Sequence, residues 1–107
     1  MSLPNNPPQV LILNGEIDLH VSSDVAASLA RLVEQQPSRL IVNLREVTYI
    51  DSSGLAALIT AANNVEDYGG NLMLTGVRAA VRTILENARL DQFFLLYPHV
   101  DAALAAT

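Results

Sequence analysis

The sequence contains no cysteine, no tryptophan and no lysine, and its only histidines are His20 and His99. Without cysteine there can be no disulfide, no thiolate zinc site and no cysteine nucleophile. No apolar run approaches the roughly 20 residues that a membrane-spanning helix needs. Residues 1–8 carry neither the basic region nor the apolar segment of a secretory signal. These absences predict a cytoplasmic domain that has no membrane partner.

Positive charge is also scarce, because six arginines stand against eleven acidic residues and the net charge is −5. A nucleic-acid-binding protein needs a concentrated basic face that displaces counterions from phosphates. Arg78, Arg82 and Arg89 share one predicted helix, but Glu86 and Asp91 lie among them. The three arginines are therefore interpreted as part of a solvated helix face, and no nucleic acid is expected as a direct partner.

Half of the 107 residues are hydrophobic, which is enough to fill one core without crosslinks. Short β-type runs alternate with segments whose apolar residues recur at helical spacing. Strands are predicted at residues 10–13, 40–44, 71–75 and 93–96. The inward stripes of the intervening helices are Val25, Leu29, Leu32 and Val33; then Leu55, Leu58, Ile59, Ala62 and Val65; then Val77, Val81, Ile84, Leu85 and Ala88; and, in a last short helix, Leu104.

Turn and capping residues set the expected boundaries of these elements. Asn14-Gly15 signals a turn or bulge that ends the first strand, and Ser22 or Ser23 is predicted to cap the first helix. Pro37 is expected to stop that helix, and Gly69-Gly70 to end the second one.

Strands and helices that alternate in this way predict an α/β fold. The sheet is expected to be mostly parallel or mixed, with four to five strands and with helices packed against it. One domain is predicted over residues 9–107, after a flexible proline-rich arm at residues 1–8.

Two polar segments follow predicted strands, where α/β proteins concentrate function. They are residues 15–20 and residues 51–55, and adjacent parallel strands would place them side by side. Asp51-Ser52-Ser53-Gly54 can be a simple helix cap, with Gly54 allowing a close approach. It can also hold a serine at the positive end of a helix, where a phosphoryl group would be stabilised.

Catalysis by the chain itself is not expected. The Gly-x-Ser-x-Gly elbow of serine hydrolases is absent, and His20 is the only base that could approach Ser52. Glu16, Asp18 and Asp51 could form a Mg²⁺ cluster, but separate solvated or capping carboxylates are the favoured interpretation, so no metal ligand is assigned.

Two blocks of this sequence resemble the STAS domain, the fold of bacterial anti-sigma factor antagonists. Residues 10–18 form a strand that ends in Gly-Glu-Ile-Asp, and residues 40–55 form a strand, a loop and Asp-Ser-Ser-Gly-Leu. Residues 69–74 and 77–88 fit the strand and helix that follow. The resemblance spans residues 9–105. Family members have a further strand before the first block, which is expected to be vestigial here.

The resemblance implies partner switching. An unmodified antagonist binds an anti-sigma factor that is also an ATP-dependent serine kinase of the histidine-kinase-like ATPase fold, which frees a sigma factor. Phosphorylation of the antagonist ends this binding, and a PP2C-type phosphatase restores it. ATP and Mg²⁺ would belong to the kinase, so no cofactor is expected for this chain, which would be a monomer or weak dimer.

Motif position implies that Ser52 is the phosphoacceptor, with Ser53 as the adjacent alternative. Asp18 would lie near that serine, and Asp51 would orient or cap it. The implied partner-binding residues are Asp18, His20, Asp51, Ser52, Ser53 and Gly54.

Two other hypotheses are kept. Subunits of ABC-type lipid-transport complexes also carry Asp-Ser-x-Gly-Leu on a STAS domain, and they bind an ATPase subunit without phosphorylation. A hydrolase that uses Ser52 and His20 is the third hypothesis.

Overall fold

Strands and helices alternate along the computed structural model, which describes residues 6–106. Within this range the strands are β1 (Gln9–Ile17), β2 (Arg39–Ile50), β3 (Asn71–Thr75) and β4 (Leu95–Tyr97), and the helices are α1 (Ser22–Glu34), α2 (Ser52–Asp67), α3 (Ala79–Asn87) and α4 (Val100–Ala105). All four strands are parallel and lie in the order β1-β2-β3-β4. The predicted α/β fold is confirmed.

The order of the strands explains why the larger hydrophobic core lies on one face of the sheet. Right-handed crossovers that always step in the same direction place every crossover helix on the same face of the sheet. Leu29 of α1, Leu58 of α2 and Leu85 of α3 accordingly share one core with Val42 of β2. Residues 40, 41, 42 and 44 of β2 are all fully buried, which confirms a strand covered on both faces.

Among residues 6–106, the helix that packs on the opposite face of the sheet is α4, whose Ala103 lies against Ile41 and Met73. Val10 and Ile12 of β1 lie beyond this helix and are 40% and 63% exposed. Within residues 6–106, β1 pairs with β2 on one side and with no strand on the other.

The strands differ from the prediction at two places. Where β1 and β2 pair, both are longer than expected, and β2, predicted at residues 40–44, continues to Ile50. β1 continues past Asn14-Gly15 because its pairing with β2 shifts register between Ile12 and Asn14 and between Gly15 and Glu16. Gly15 has φ +74° there, so the segment is a bulge inside the strand rather than its end.

Aromatic packing explains the second difference in strand length. β4 begins after Phe94, which is buried in the core and packs edge-to-face with Phe93 at 4.9 Å between ring centres. The expected strand at residues 93–96 is therefore displaced towards the C-terminus.

The start of α1 differs from the prediction. Neither Ser22 nor Ser23 caps the helix; the residue before α1 is Val21, and no side chain caps it. The carbonyl of Asp18 accepts the N–H groups of Val21 (3.1 Å) and Ser22 (2.9 Å). This turn begins the helix at Ser22, one or two residues earlier than predicted, and places both serines inside it.

Two of the predicted inward side chains point outward. Ala88 is the exposed residue after α3, and Leu104 is 39% exposed. In α4 the residues one turn apart that pack on the sheet are Val100 and Ala103 instead, which turns Leu104 away from it.

The predicted helix stops are confirmed. α1 ends before Pro37 and α2 ends before Gly69, which has φ +91°. The Tyr68 hydroxyl donates to the Pro37 carbonyl at 2.7 Å, and burial raises the pKa of Tyr68. No helix within residues 6–106 is both long enough and apolar enough to cross a membrane.

Residues 1–5 of the predicted arm lie outside the described residues. Asn6 is held against the end of α1, because its side-chain amide donates to the carbonyls of Gln35 (3.1 Å) and Gln36 (2.9 Å).

Candidate functional site

The N-terminus of α2 is capped by Asp51, as predicted. Asp51 has extended backbone angles, and its Oδ1 accepts the N–H groups of Ser53 (2.9 Å) and Gly54 (3.1 Å). The Ser53 hydroxyl donates to the same oxygen at 2.6 Å. One carboxylate oxygen thus satisfies three donors in the first turn of the helix.

These hydrogen bonds change the acidity of Asp51. The Ser53 hydroxyl, followed by the Gly54 N–H, holds the pKa of the Asp51 carboxyl below its ordinary value of 3.8. The backbone N–H of Leu19 acts in the same direction. Asp51 is therefore a fixed negative charge at neutral pH, and the Leu19 contribution shows that the turn after β1 lies beside it.

Ser52 and Ser53 are adjacent in sequence but have different surroundings. Ser52 is the exposed first residue of α2, and its hydroxyl has no hydrogen-bond partner among residues 6–106. Ser53 is partly buried, and its hydroxyl is engaged with Asp51. Ser52 therefore presents the accessible hydroxyl at this helix end.

The structure brings together the two polar segments that were expected to be neighbours. The Asp51 N–H donates to the Ile17 carbonyl at 3.1 Å, which joins the end of β1 to the start of α2. Asp18 follows directly, and its Oδ1 accepts the His20 N–H at 2.9 Å. Glu16, two residues before Asp18 on β1, is exposed.

Gly54 makes the close approach predicted for it. A Cβ atom at Gly54 would lie 2.8 Å from Cγ2 of both Ile17 and Ile50 and 2.9 Å from the Ile17 carbonyl oxygen. The first turn of α2 can rest on the end of β1 only because residue 54 has no side chain. Gly54 therefore fixes the position of Ser52 relative to Asp18.

The arrangement needed for serine hydrolysis is not formed. Within residues 6–106 no hydrogen bond joins the imidazole of His20 to the Ser52 hydroxyl; the histidine contributes only its backbone N–H, to Asp18. The alternative Mg²⁺ cluster also fails to form, since no three acidic or histidine side chains of the described residues are grouped to hold a metal.

Two features beside Ser52 were not predicted from the sequence. Leu19 is 74% exposed between Asp18 and His20. A groove of about 280 Å³ runs from Ser53 between α1 and α2. Its walls include small residues four apart on facing helices, Ala26 and Ala30 on α1 and Ala56 and Thr60 on α2. That spacing of small residues is the sequence signal that could have indicated a groove.

Comparison with known proteins identifies the fold family. A family model described as the STAS domain matches residues 4–103. The chain belongs to the STAS domain family. A curated STAS relative, the anti-sigma F factor antagonist of Paenibacillus polymyxa, is 24% identical over 96 residues, which cover 89% of this chain and 82% of the relative.

Similar solved structures come from proteins of different biological settings. An anti-sigma factor antagonist from Mycobacterium paratuberculosis is 26% identical with a TM-score of 0.83, over 94% of this chain and 86% of that one. A sulfate transporter family protein from Wolinella succinogenes is 25% identical with a TM-score of 0.80, over 98% of this chain and 87% of that one. Membership of the STAS family therefore establishes the fold without choosing between these settings.

Proposed function

We propose that this STAS domain is an anti-sigma factor antagonist and that phosphorylation of Ser52 switches off its binding to an anti-sigma factor. The observation that carries the proposal is the exposed, unbonded hydroxyl of Ser52 at the N-terminus of α2. Similarity to an anti-sigma F factor antagonist of Paenibacillus polymyxa supports the choice of partner. The anti-sigma factor would be a serine kinase of the histidine-kinase-like ATPase fold, and a PP2C-type phosphatase would reverse the modification.

Geometry favours Ser52 over Ser53 as the phosphoacceptor. A serine hydroxyl that accepts a phosphoryl group from ATP in a kinase active site must be accessible and not held in a hydrogen bond within its own chain. Ser53 is partly buried and donates to Asp51 at 2.6 Å, whereas Ser52 has no such bond to break.

A phosphate on Ser52 would weaken binding through charge. It adds about −1.5 to −2 charges to a region that already holds Glu16, Asp18 and Asp51. Two unit charges about 5 Å apart at an effective dielectric constant of about 20 repel by about 3 kcal/mol. A partner that places a carboxylate or a nucleotide phosphate at this distance would therefore lose about two decades of affinity.

The contact surface for the unmodified state would extend from Ser52 over Leu19, His20 and the groove between α1 and α2. An exposed leucine within a polar turn provides the apolar contact that such an interface needs. Asp18, Asp51, Ser53 and Gly54 would act mainly by holding this surface in shape.

The test begins with capture of the tagged chain's partner from its own host. A recovered histidine-kinase-like ATPase would be purified and supplied with radiolabelled ATP and either the wild-type chain, Ser52→Ala or Ser53→Ala. Label is expected on the wild type and on Ser53→Ala, and none on Ser52→Ala. Label retained on Ser52→Ala would overturn the assignment.

Binding is measured separately from phosphorylation. In the absence of ATP, Ser52→Ala should bind the ATPase as tightly as the wild type, and Ser52→Asp should bind at least about tenfold more weakly. Recovery of ABC-transporter subunits in place of a kinase would contradict the proposal and favour the lipid-transport alternative.

A further inference from the structure

A second polar region lies at the other end of the same sheet edge, where β3 and β4 finish. Two adjoining hollows of about 590 and 390 Å³ open there and share four of their lining residues. We call them together the arginine depression, which is lined chiefly by Arg45, Gly76, Arg82, Tyr97, Pro98 and His99. None of these residues belongs to the Ser52 region.

The depression holds positive charge that the protein does not neutralise. Among residues 6–106, no acceptor is hydrogen-bonded to the guanidinium group of Arg45 or Arg82, and no carboxylate lies within 4 Å of either. Arg39, by contrast, donates to the carbonyls of Leu104 and Ala106. One carboxylate, Asp101, also lines the smaller hollow. Arg45 and Arg82 still outnumber this single carboxylate.

His99 adds an oriented hydrogen-bond donor. Its Nδ1 accepts the Ala102 N–H at 3.1 Å. Because Nδ1 acts as an acceptor, the neutral imidazole carries its proton on Nε2. The histidine can therefore donate to an anion without being charged.

Several contacts make the base of the depression rigid. Arg78 Nε donates to the Arg45 carbonyl at 2.7 Å, and its guanidinium lies 3.5 Å from Glu46. Gly76 has φ +67°, and its N–H donates to the Tyr97 carbonyl at 3.1 Å. A Cβ at Gly76 would lie 3.0 Å from Cβ of Arg45, so the turn after β3 rests directly on β2.

An unsatisfied polar atom lies beneath this base. The Thr75 hydroxyl is fully buried and has no hydrogen-bond partner among the described residues. Thr75 pairs in register with Asn43 and Tyr97, each of which lines one of the hollows. A buried hydroxyl without a partner is costly, and it lies at the strand ends below the two hollows, although Thr75 itself lines neither of them.

We propose that the arginine depression binds a phosphate-bearing small molecule. Two unmatched guanidinium groups and an imidazole N–H match the several oxygens of a phosphate. The hollows have the size of ligand sites and lie outside the carboxyl ends of parallel strands. Val77, Leu96 and Tyr97 add an apolar wall, which would contact the organic part of a phosphate ester.

The proposal is tested by NMR titration of the 107-residue chain with inorganic phosphate, pyrophosphate and AMP at constant ionic strength. Saturable amide shifts are expected at residues 76–82 and at Tyr97 and His99, with a dissociation constant below about 1 mM for at least one probe. Tighter binding of AMP would indicate an organic phosphate, and equal binding would indicate the free anion. Absence of saturable shifts, or shifts centred on residues 51–53, would overturn the proposal.

Three arginine variants separate a site from general charge attraction. Arg45→Gln and Arg82→Gln should each weaken binding about tenfold. Arg89→Gln removes the same charge from an exposed arginine that lines neither hollow. Its binding should stay within about twofold of wild type, and a loss as large as that of Arg82→Gln would refute a defined site. Preserved dispersion in each variant's NMR spectrum confirms that it is folded.

Discussion

The carboxyl edge of one sheet carries two polar regions of opposite charge. At the ends of β1 and β2, the carboxylates of Asp18 and Asp51 are engaged by hydrogen bonds from their own turns, which leaves the Ser52 hydroxyl as the free group. At the ends of β3 and β4, the guanidinium groups of Arg45 and Arg82 have no partner among residues 6–106. In the first region the carboxylates are satisfied by their own turns, whereas in the second the two guanidinium groups have no such partner among residues 6–106.

The largest expected effect is a loss of stability from a substitution beside Ser52, in the region that we call acidic because it holds Asp18 and Asp51. Gly54→Ala should lower the free energy of unfolding by about 2 kcal/mol, because the clash with Ile17 and Ile50 outweighs the better helix propensity of alanine. Urea denaturation measures this loss. Phosphate binding in the arginine depression should be unchanged, so a parallel loss of binding would show that the two regions are not independent.

Gly15→Ala is the matched control for that substitution. Its Cβ would meet no atom within 4 Å, but φ is +74°, so only backbone strain is added. The expected loss is about 1 kcal/mol. An equal or larger loss than that of Gly54→Ala would contradict the close-approach argument.

A smaller effect should appear in the response of the acidic region to pH. Because the pKa of Asp51 is lowered in the folded chain, its contribution to stability is complete above pH 3.8 and is lost as the pH falls through the folded-state pKa. Ser53→Ala removes the main cause, so the folded-state pKa should rise towards 3.8, and the loss of stability in acid should become smaller and end at a higher pH. The thermal midpoint at pH 7 should also fall by about 5 °C.

Two readouts check the pH prediction. NMR titration of the Asp51 carboxyl gives its pKa in the wild type and in Ser53→Ala, and thermal unfolding between pH 2 and pH 7 gives the stability. If the Asp51 pKa were unchanged in Ser53→Ala, the 2.6 Å hydrogen bond from the Ser53 hydroxyl would not be what lowers it.

The smallest effect is expected for the residue that matters most for the proposed switch. Ser52→Ala removes an exposed hydroxyl that makes no hydrogen bond within residues 6–106, so stability should change by less than about 0.5 kcal/mol. Thermal unfolding beside Ser53→Ala measures the difference. A large loss for Ser52→Ala would assign the hydroxyl a structural role and weaken its case as a phosphoacceptor.

Local patterns were sufficient for the parts of the molecule that depend on neighbouring residues. Alternating apolar runs predicted the parallel sheet, and Asp51 followed by two serines predicted the cap of α2. The adjacency of residues 15–20 and 51–55 also followed, since parallel strands bring their carboxyl ends together.

The sequence interpretation failed where contacts between residues far apart in the chain determine a strand end or the direction of a side chain. The bulge at Gly15 keeps β1 paired with β2 beyond a turn signal, and packing on Ile41 and Met73 selects Ala103 over Leu104. The arginine depression was missed for the same reason. Arg78, Arg82 and Arg89 were grouped by helical proximity, but the pairing of β2 with β3 brings Arg45 to Arg82 and leaves Arg89 outside.

The strand order has a consequence for how the chain is assembled during synthesis. Each strand pairs with the one made immediately before it, so no strand has to insert between two that are already joined. A growing chain could therefore add β2 to β1, then β3, then β4, without undoing earlier pairing. The last two elements, a three-residue strand and a six-residue helix, are the shortest strand and the shortest helix within residues 6–106. Opening of the native protein should begin there, at the wall of the arginine depression, while the Ser52 turn stays closed.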